Sequence, residues 1–147
     1  MSNLTRFGVS MEAALAARFD RMIRLRKYAS RSEAIRDMVR RELVRQAWED
    51  PNAEAVGTVT LVYDHHVRDL SERLTEMQHQ QHHLVTSTTH VHLTHDHCLE
   101  VIIVRGSARE VQALGDKLIA ARGVLHGELV ATGTGKVFHG RTAHRDH

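Results

Sequence analysis

The chain has 147 residues, enough for one domain or two small ones. Its single cysteine excludes an internal disulfide framework and suits a reducing compartment. No apolar run approaches the ~18 residues of a spanning helix. No charged-then-apolar leader opens the sequence, so the expectation is a cytoplasmic protein with no membrane partner.

A net charge of +2 hides two asymmetries. Thirteen residues are histidine, and nine of them fall between His65 and His97. Residues 1–50 carry eleven Lys/Arg against seven Asp/Glu, whereas residues 56–138 carry seven against nine. A basic front and an acidic, histidine-rich back imply two tasks. Pro51 disfavours helix at Asp50. The expected division is a first domain over residues 1–48, a linker over 49–55, a second domain over 56–132 and a flexible tail over 133–147.

From Arg6 to Met11 the residues alternate. Phe7, Val9 and Met11 face one way and Arg6, Gly8 and Ser10 the other, the pattern of a half-buried strand. A helix follows to about Arg26, with Leu15, Phe19, Met22 and Ile23 on one stripe and Ser10 near its start as a cap. Ser30 followed by Glu33 is a capping box that opens a second helix. Its inner face is Ala34, Ile35, Met38, Val39 and Leu43; Arg36, Arg40, Arg41 and Arg45 face outward.

One strand and two helices bury too little apolar area to fold alone. Two chains pairing their strands antiparallel would solve this, and a two-stranded ribbon fits the major groove of DNA. Strand, helix, short turn and then Arg31-Ser32-Glu33-Ala34-Ile35-Arg36-Asp37 resembles a ribbon-helix-helix DNA-binding domain. The resemblance implies that Arg6, Gly8 and Ser10 face the bases. Gly8 has no side chain, so readout rests on Arg6 and Ser10; Arg31 and Arg36 are phosphate-facing candidates.

The second half reads as strand (Val56–Tyr63), helix (to about Gln81), strand (Val85–Thr94), strand (Cys98–Arg105), helix and strand (Val124–Ala131). Asp64 or His65 is the expected cap of its first helix, Gly106 the expected end of its third strand, and Ser107 to Glu110 a second capping box. This βαββαβ order is the ferredoxin-like plan and resembles an ACT-type sensor domain. The fold class is therefore α+β.

His90 and His92, two apart on a strand, share a face. A turn centred on His95 sets Cys98 opposite His92. Two imidazoles and a thiol on one sheet face suit a metal better than packing. His79, at the end of the preceding helix, is the candidate fourth ligand. It is not expected to reach the exposed sheet face of its own chain, so the ion would bridge subunits. A tetrahedral site of these donors suits zinc and a planar one nickel or copper, and spacing leaves the angle open.

The stretch from Gln78-His79 through Thr89-His90-Val91-His92 to Cys98-Leu99-Glu100 resembles the sensor domain of nickel-responsive ribbon-helix-helix regulators. That resemblance implies square-planar Ni(II) held by His90, His92 and Cys98 of one subunit and His79 of its neighbour. It implies a homotetramer with two DNA-binding dimers, and repression at an operator when nickel is plentiful. It suggests a second cation site at Glu33 and Asp37, for which Arg pairing on a helix face is the plainer alternative.

Gln78 and Glu100 are candidates for orienting the ligands from behind. His65, His66, His82, His83 and His97 read as solvent-facing or weak-site histidines, His95 as a turn residue and His126 as structural. Gly133-Thr134-Gly135-Lys136 lacks the first glycine of a phosphate loop. The alternatives are an amino-acid-sensing ACT-type regulator, or the same regulator tuned to zinc or copper. An enzyme is not expected, since four protein ligands leave no open coordination position.

Overall fold

The computed structural model describes residues 3–138. They divide into two compact units between Arg41 and Glu42.

In the first unit, residues 3–12 form no regular element. The strand expected at Arg6–Met11 is not seen because a strand exists only with a partner. Among the described residues nothing pairs with it. Helix α1 spans Ala13–Leu25. Ser10 does not cap it; the N-cap is Glu12, without a side-chain bond. The helix closes through Lys27 in the left-handed region, with the Tyr28 N–H donating to the Ile23 carbonyl at 3.1 Å. Helix α2 spans Arg31–Glu49. Its expected cap is made, the Glu33 N–H donating to Ser30 Oγ at 3.1 Å. Ile23 and Ala34 are buried, whereas Phe7, Val9, Leu15, Met38 and Val39 are exposed.

The second unit contains β1 (Glu54–Asp64), α3 (Leu70–Gln80), β2 (Val85–His92), β3 (His97–Ser107), α4 (Ala108–Ile119) and β4 (Val124–Thr132), then a short 3₁₀ turn at Gly135–Phe138. The sheet order is β2-β3-β1-β4 with every pairing antiparallel, the ferredoxin-like arrangement expected of βαββαβ. Strict alternation along β1 buries Ala55, Gly57, Val59, Leu61 and Tyr63. They pack with Ile102 and Val104 of β3 against Leu70, Leu74, Val111, Leu114 and Leu118 of the helices. Residues 42–49 of α2 belong to this unit, and within it the Trp48 indole N–H donates to the Thr132 carbonyl at 2.7 Å. Residues 139–147, most of the expected tail, lie outside the described residues.

Two local expectations change. Helix α3 begins at Leu70, and neither Asp64 nor His65 caps it. The Asp64 carboxylate instead accepts the His66 N–H at 2.8 Å, a turn bond that competes with helix. Gly106 does not end β3, because it pairs with Ala55. Its missing side chain admits Leu84, whose Cδ2 stands 2.5 Å from where a Cβ would be.

The second capping box is formed. Ser107 Oγ accepts the Glu110 N–H at 3.2 Å and donates to the Glu110 carboxylate at 2.9 Å. Ser107→Ala should therefore lower stability by about 1 kcal/mol, read as an earlier midpoint in urea unfolding.

Candidate metal centre

The centre is built on the β2–β3 hairpin. His90 pairs with Glu100, Val91 with Leu99 and His92 with Cys98. The turn between them is set by Thr94, whose Oγ1 accepts the N–H groups of Asp96 and His97 at 3.2 and 3.1 Å. His90, His92, Cys98 and Glu100 therefore share one sheet face, as the spacing predicts.

That face is not the exposed one, and here the expectation is corrected. Cys98 is fully buried in the core formed with Leu70 and Leu74. The hydrophobic alternation of β3 carries the thiol inward with Ile102 and Val104. Strand β2 lies at the sheet edge, so His90 and His92 on the same face remain exposed. A buried sulfur thus sits beside solvent-facing imidazoles.

Cys98 Sγ lies 3.5 Å from His92 Nδ1 and 3.5 Å from His65 Nδ1. His65, His92 and Cys98 each bring one donor atom within 4.8 Å of the others. His65 is a solvent-facing residue by sequence pattern, and the sheet pairing brings it in. Strand β1 runs antiparallel to β3, setting Tyr63 opposite Cys98 and Asp64 opposite His97. The His65 N–H then donates to the Asp96 carbonyl at 2.7 Å. The signal was present in the βαββαβ order, which places the end of the first strand beside the start of the third.

His90 stands aside from this group within one chain. Its Nε2 is 3.5 Å from the Tyr63 hydroxyl, and its ring centroid is 5.1 Å from that of His92. His79 is exposed on α3 beside His82, with ring centroids 6.5 Å apart, and is outside the group. His83 contacts the Glu110 carboxylate at 3.3 Å, and His97 Nδ1 lies 3.1 Å from Thr94 Oγ1. His126 is exposed on β4 opposite Val62.

Behind the histidines runs a buried polar chain. Thr88 Oγ1 donates to Gln78 Oε1 at 2.7 Å, and Gln78 Nε2 donates to Glu100 Oε1 at 3.1 Å. Gln78 and Glu100 are the two buried polar residues of the described chain. Burial pushes the Cys98 thiol above its ordinary range, and the Glu100 carboxylate pushes it further. Burial, then Glu100, likewise raises the Tyr63 phenol. These surroundings favour the neutral thiol over the thiolate, a cost that a bound cation would offset. Imidazoles around a thiol suit borderline divalent metals such as nickel, copper and zinc, so the donor set fits the expected ion.

The expected DNA-facing residues Arg6, Gly8 and Ser10 are exposed. Arg31 makes two hydrogen bonds to Asp20, at 2.8 and 2.7 Å. Arg36 pairs with Glu33 at 2.8 Å. Asp37 accepts the Tyr28 hydroxyl and the Arg41 guanidinium, and these bonds, Tyr28 first, hold its carboxyl below the usual range. Glu33 and Asp37 thus each have donors within their own chain.

Comparison with known proteins agrees with both halves. Residues 56–132 match the family described as NikR C terminal nickel binding domain, and residues 5–46 match the ribbon-helix-helix proteins of the copG family. The chain is 54% identical to a protein of Solibacter usitatus over 92% of its own length and 97% of the relative's. It is 55% identical to one of Geobacter sulfurreducens and 52% to one of Geobacter metallireducens, over 95% of its length and 100% of theirs. Each of the three carries the name nickel-responsive regulator. With a ribbon-helix-helix segment ahead of a nickel-binding sensor fold along almost its whole length, this chain belongs to the nickel-responsive regulator family.

Proposed function

We propose that the protein is a DNA-binding repressor that grips its operator when Ni(II) joins neighbouring chains. The observation that carries this reading is the Cys98 thiol held 3.5 Å from the His92 imidazole on a turn-fixed hairpin. His90, His92 and Cys98 of one chain would hold the ion together with His79 of a neighbouring chain. The exposed position of His79, apart from the own-chain group, supports its use by another subunit. When bound, Ni(II) supplies a positive charge that replaces the thiol proton and a cross-link between chains. Gln78 and Glu100 would steady the hairpin from behind.

Exposed Phe7, Val9, Leu15, Met38 and Val39 support a dimer of the first unit. Paired strands would then present Arg6, Gly8 and Ser10 to the major groove. Arg31 and Arg36 would exchange their carboxylates for phosphates at small cost, since exposed ion pairs are worth ~0–1 kcal/mol. Two such dimers around a sensor core make a homotetramer, with avidity for a two-part operator. Fixing the dimers in one relative pose would couple nickel to DNA by ~1–3 kcal/mol. Glu33 and Asp37 read as surface pairing partners. Operator binding places the protein in the cytoplasm and makes it a regulator, not an enzyme.

Three outcomes are expected. In a gel-shift titration, nickel should tighten operator binding, Cys98→Ala should remove the nickel effect, and equal affinity with and without nickel would falsify the model. Arg6→Ala should weaken operator binding at least tenfold while leaving nickel uptake unchanged, measured on the same protein. Because the thiol is raised and must lose its proton to ligate, nickel affinity should fall ~tenfold per pH unit on acidification. Calorimetry in two buffers of different ionisation enthalpy would count the protons released. The d–d spectrum of the loaded protein separates a planar nickel site from a zinc-type tetrahedron.

A further inference from the structure

The last turns of α2 lie within the sensor unit, which begins at Glu42. Trp48 is half-buried there and packs against the apolar core of that unit. Its Nε1–H donates to the Thr132 carbonyl of β4 at 2.7 Å. A Cβ at Gly57 would stand 3.6 Å from Trp48 Cη2, ordinary van der Waals contact, so the ring rests directly on β1. One anchor on β4 and one on β1 thus hold the end of the helix.

The residues that follow are bonded as well. Asp50 makes a turn around Pro51, its carboxylate accepting the Asn52 N–H at 3.0 Å and its carbonyl the Ala53 N–H at 3.1 Å. The Pro51 carbonyl accepts the Arg109 N–H at 3.0 Å, and the Ala53 carbonyl accepts the Ala108 N–H at 2.9 Å. Those are the first two amides of α4, which have no partner inside their own helix. Ser107 Oγ takes the third, that of Glu110. Pro51 and Ala53 therefore complete the cap of α4, and Glu54 enters the β1–β3 ladder opposite Ser107. From Trp48 to Glu54 little of the chain is slack.

A free tether would let what precedes the sensor unit turn independently of it. An ion that joins sensor units could then not fix the DNA-binding units. We propose that Trp48, with Pro51 and Ala53, is the joint through which the sensor unit acts on the DNA-binding unit. While it is closed, the pose imposed on the sensor sheet passes into α2. When it opens, nickel still binds but no longer alters DNA binding. Gly57 stands six positions before Tyr63, the residue opposite Cys98, roughly 20 Å away at ~3.3 Å per residue. Trp48 is thus a positioning residue, separate from the proposed metal ligands. The coupling role rests on the reading of the protein as a nickel-dependent repressor; the closed joint does not.

The test uses the full chain, Ni(II) and the operator fragment. Hydrogen exchange at the Ala108 and Arg109 amides reads the joint itself. Both should be protected in the metal-free parent and exchange several-fold faster in Trp48→Ala. In gel shifts, Trp48→Ala should keep the parent's metal-free operator affinity and its nickel count per chain. It should lose most of the tightening that nickel brings. Trp48→Phe keeps an apolar ring and drops the Thr132 bond. It should show the same split in weaker form, and it decides the matter if the alanine form does not fold. A purely structural role would lower nickel uptake and metal-free operator binding together, and that result overturns the proposal. Unprotected amides in the parent overturn the joint, and an undiminished nickel response in both variants overturns the coupling. If nickel leaves the parent's operator affinity unchanged, the repressor reading fails and the coupling falls with it, while the exchange rates still decide the joint.

Discussion

The pairing of His92 with Cys98 across the β2–β3 turn is the constraint from which the sensor half follows. It sets an imidazole and a sulfur on one face at a distance a single ion can span. Thr94 holds the turn, and the turn holds the register. A slip of one residue would send the sulfur to the opposite face and leave the imidazoles without it. The same register sets Glu100 opposite His90 and lets Gln78 reach that carboxylate. The proposed ligands and their supports are therefore one ladder, not separate features.

Burial makes this ladder responsive. A thiol inside an apolar core is poor at holding negative charge, and a neighbouring carboxylate makes it poorer. A cation at the sulfur would relieve that cost directly, so under the proposed function proton and metal would compete for it. The edge position of β2 is the second half of the arrangement. It leaves the imidazoles reachable from solvent while the sulfur stays within the core. A central strand would have hidden all of them, and an exposed cysteine would have been open to oxidation.

The first unit shows the opposite economy. Its buried residues are few, and its apolar side chains face outward. A unit in this condition leaves apolar surface to be covered, as the proposed dimer would do. The arginines meanwhile rest on nearby carboxylates through surface pairs that give way easily. Such a unit is suited to control, because what completes it can come and go.

Periodicity carried far. The alternation of β1, the helical stripes of α3 and α4, the capping boxes at Ser30 and Ser107 and the strand order followed from local residue pattern, because cap bonds and period-two burial are decided within a few residues. The spacing of His90, His92 and Cys98 carried their shared face for the same reason. Three things lay beyond it. A strand at Arg6–Met11 needs a second strand, and one sequence cannot supply the partner. Which face of the sheet the helices cover decided that Cys98 is buried, and that depends on the crossover of the whole unit. The place of His65 beside the thiol, and of His66 beside Asp96, was decided by β1 pairing with β3, contacts some thirty residues apart along the chain that form only when the sheet closes.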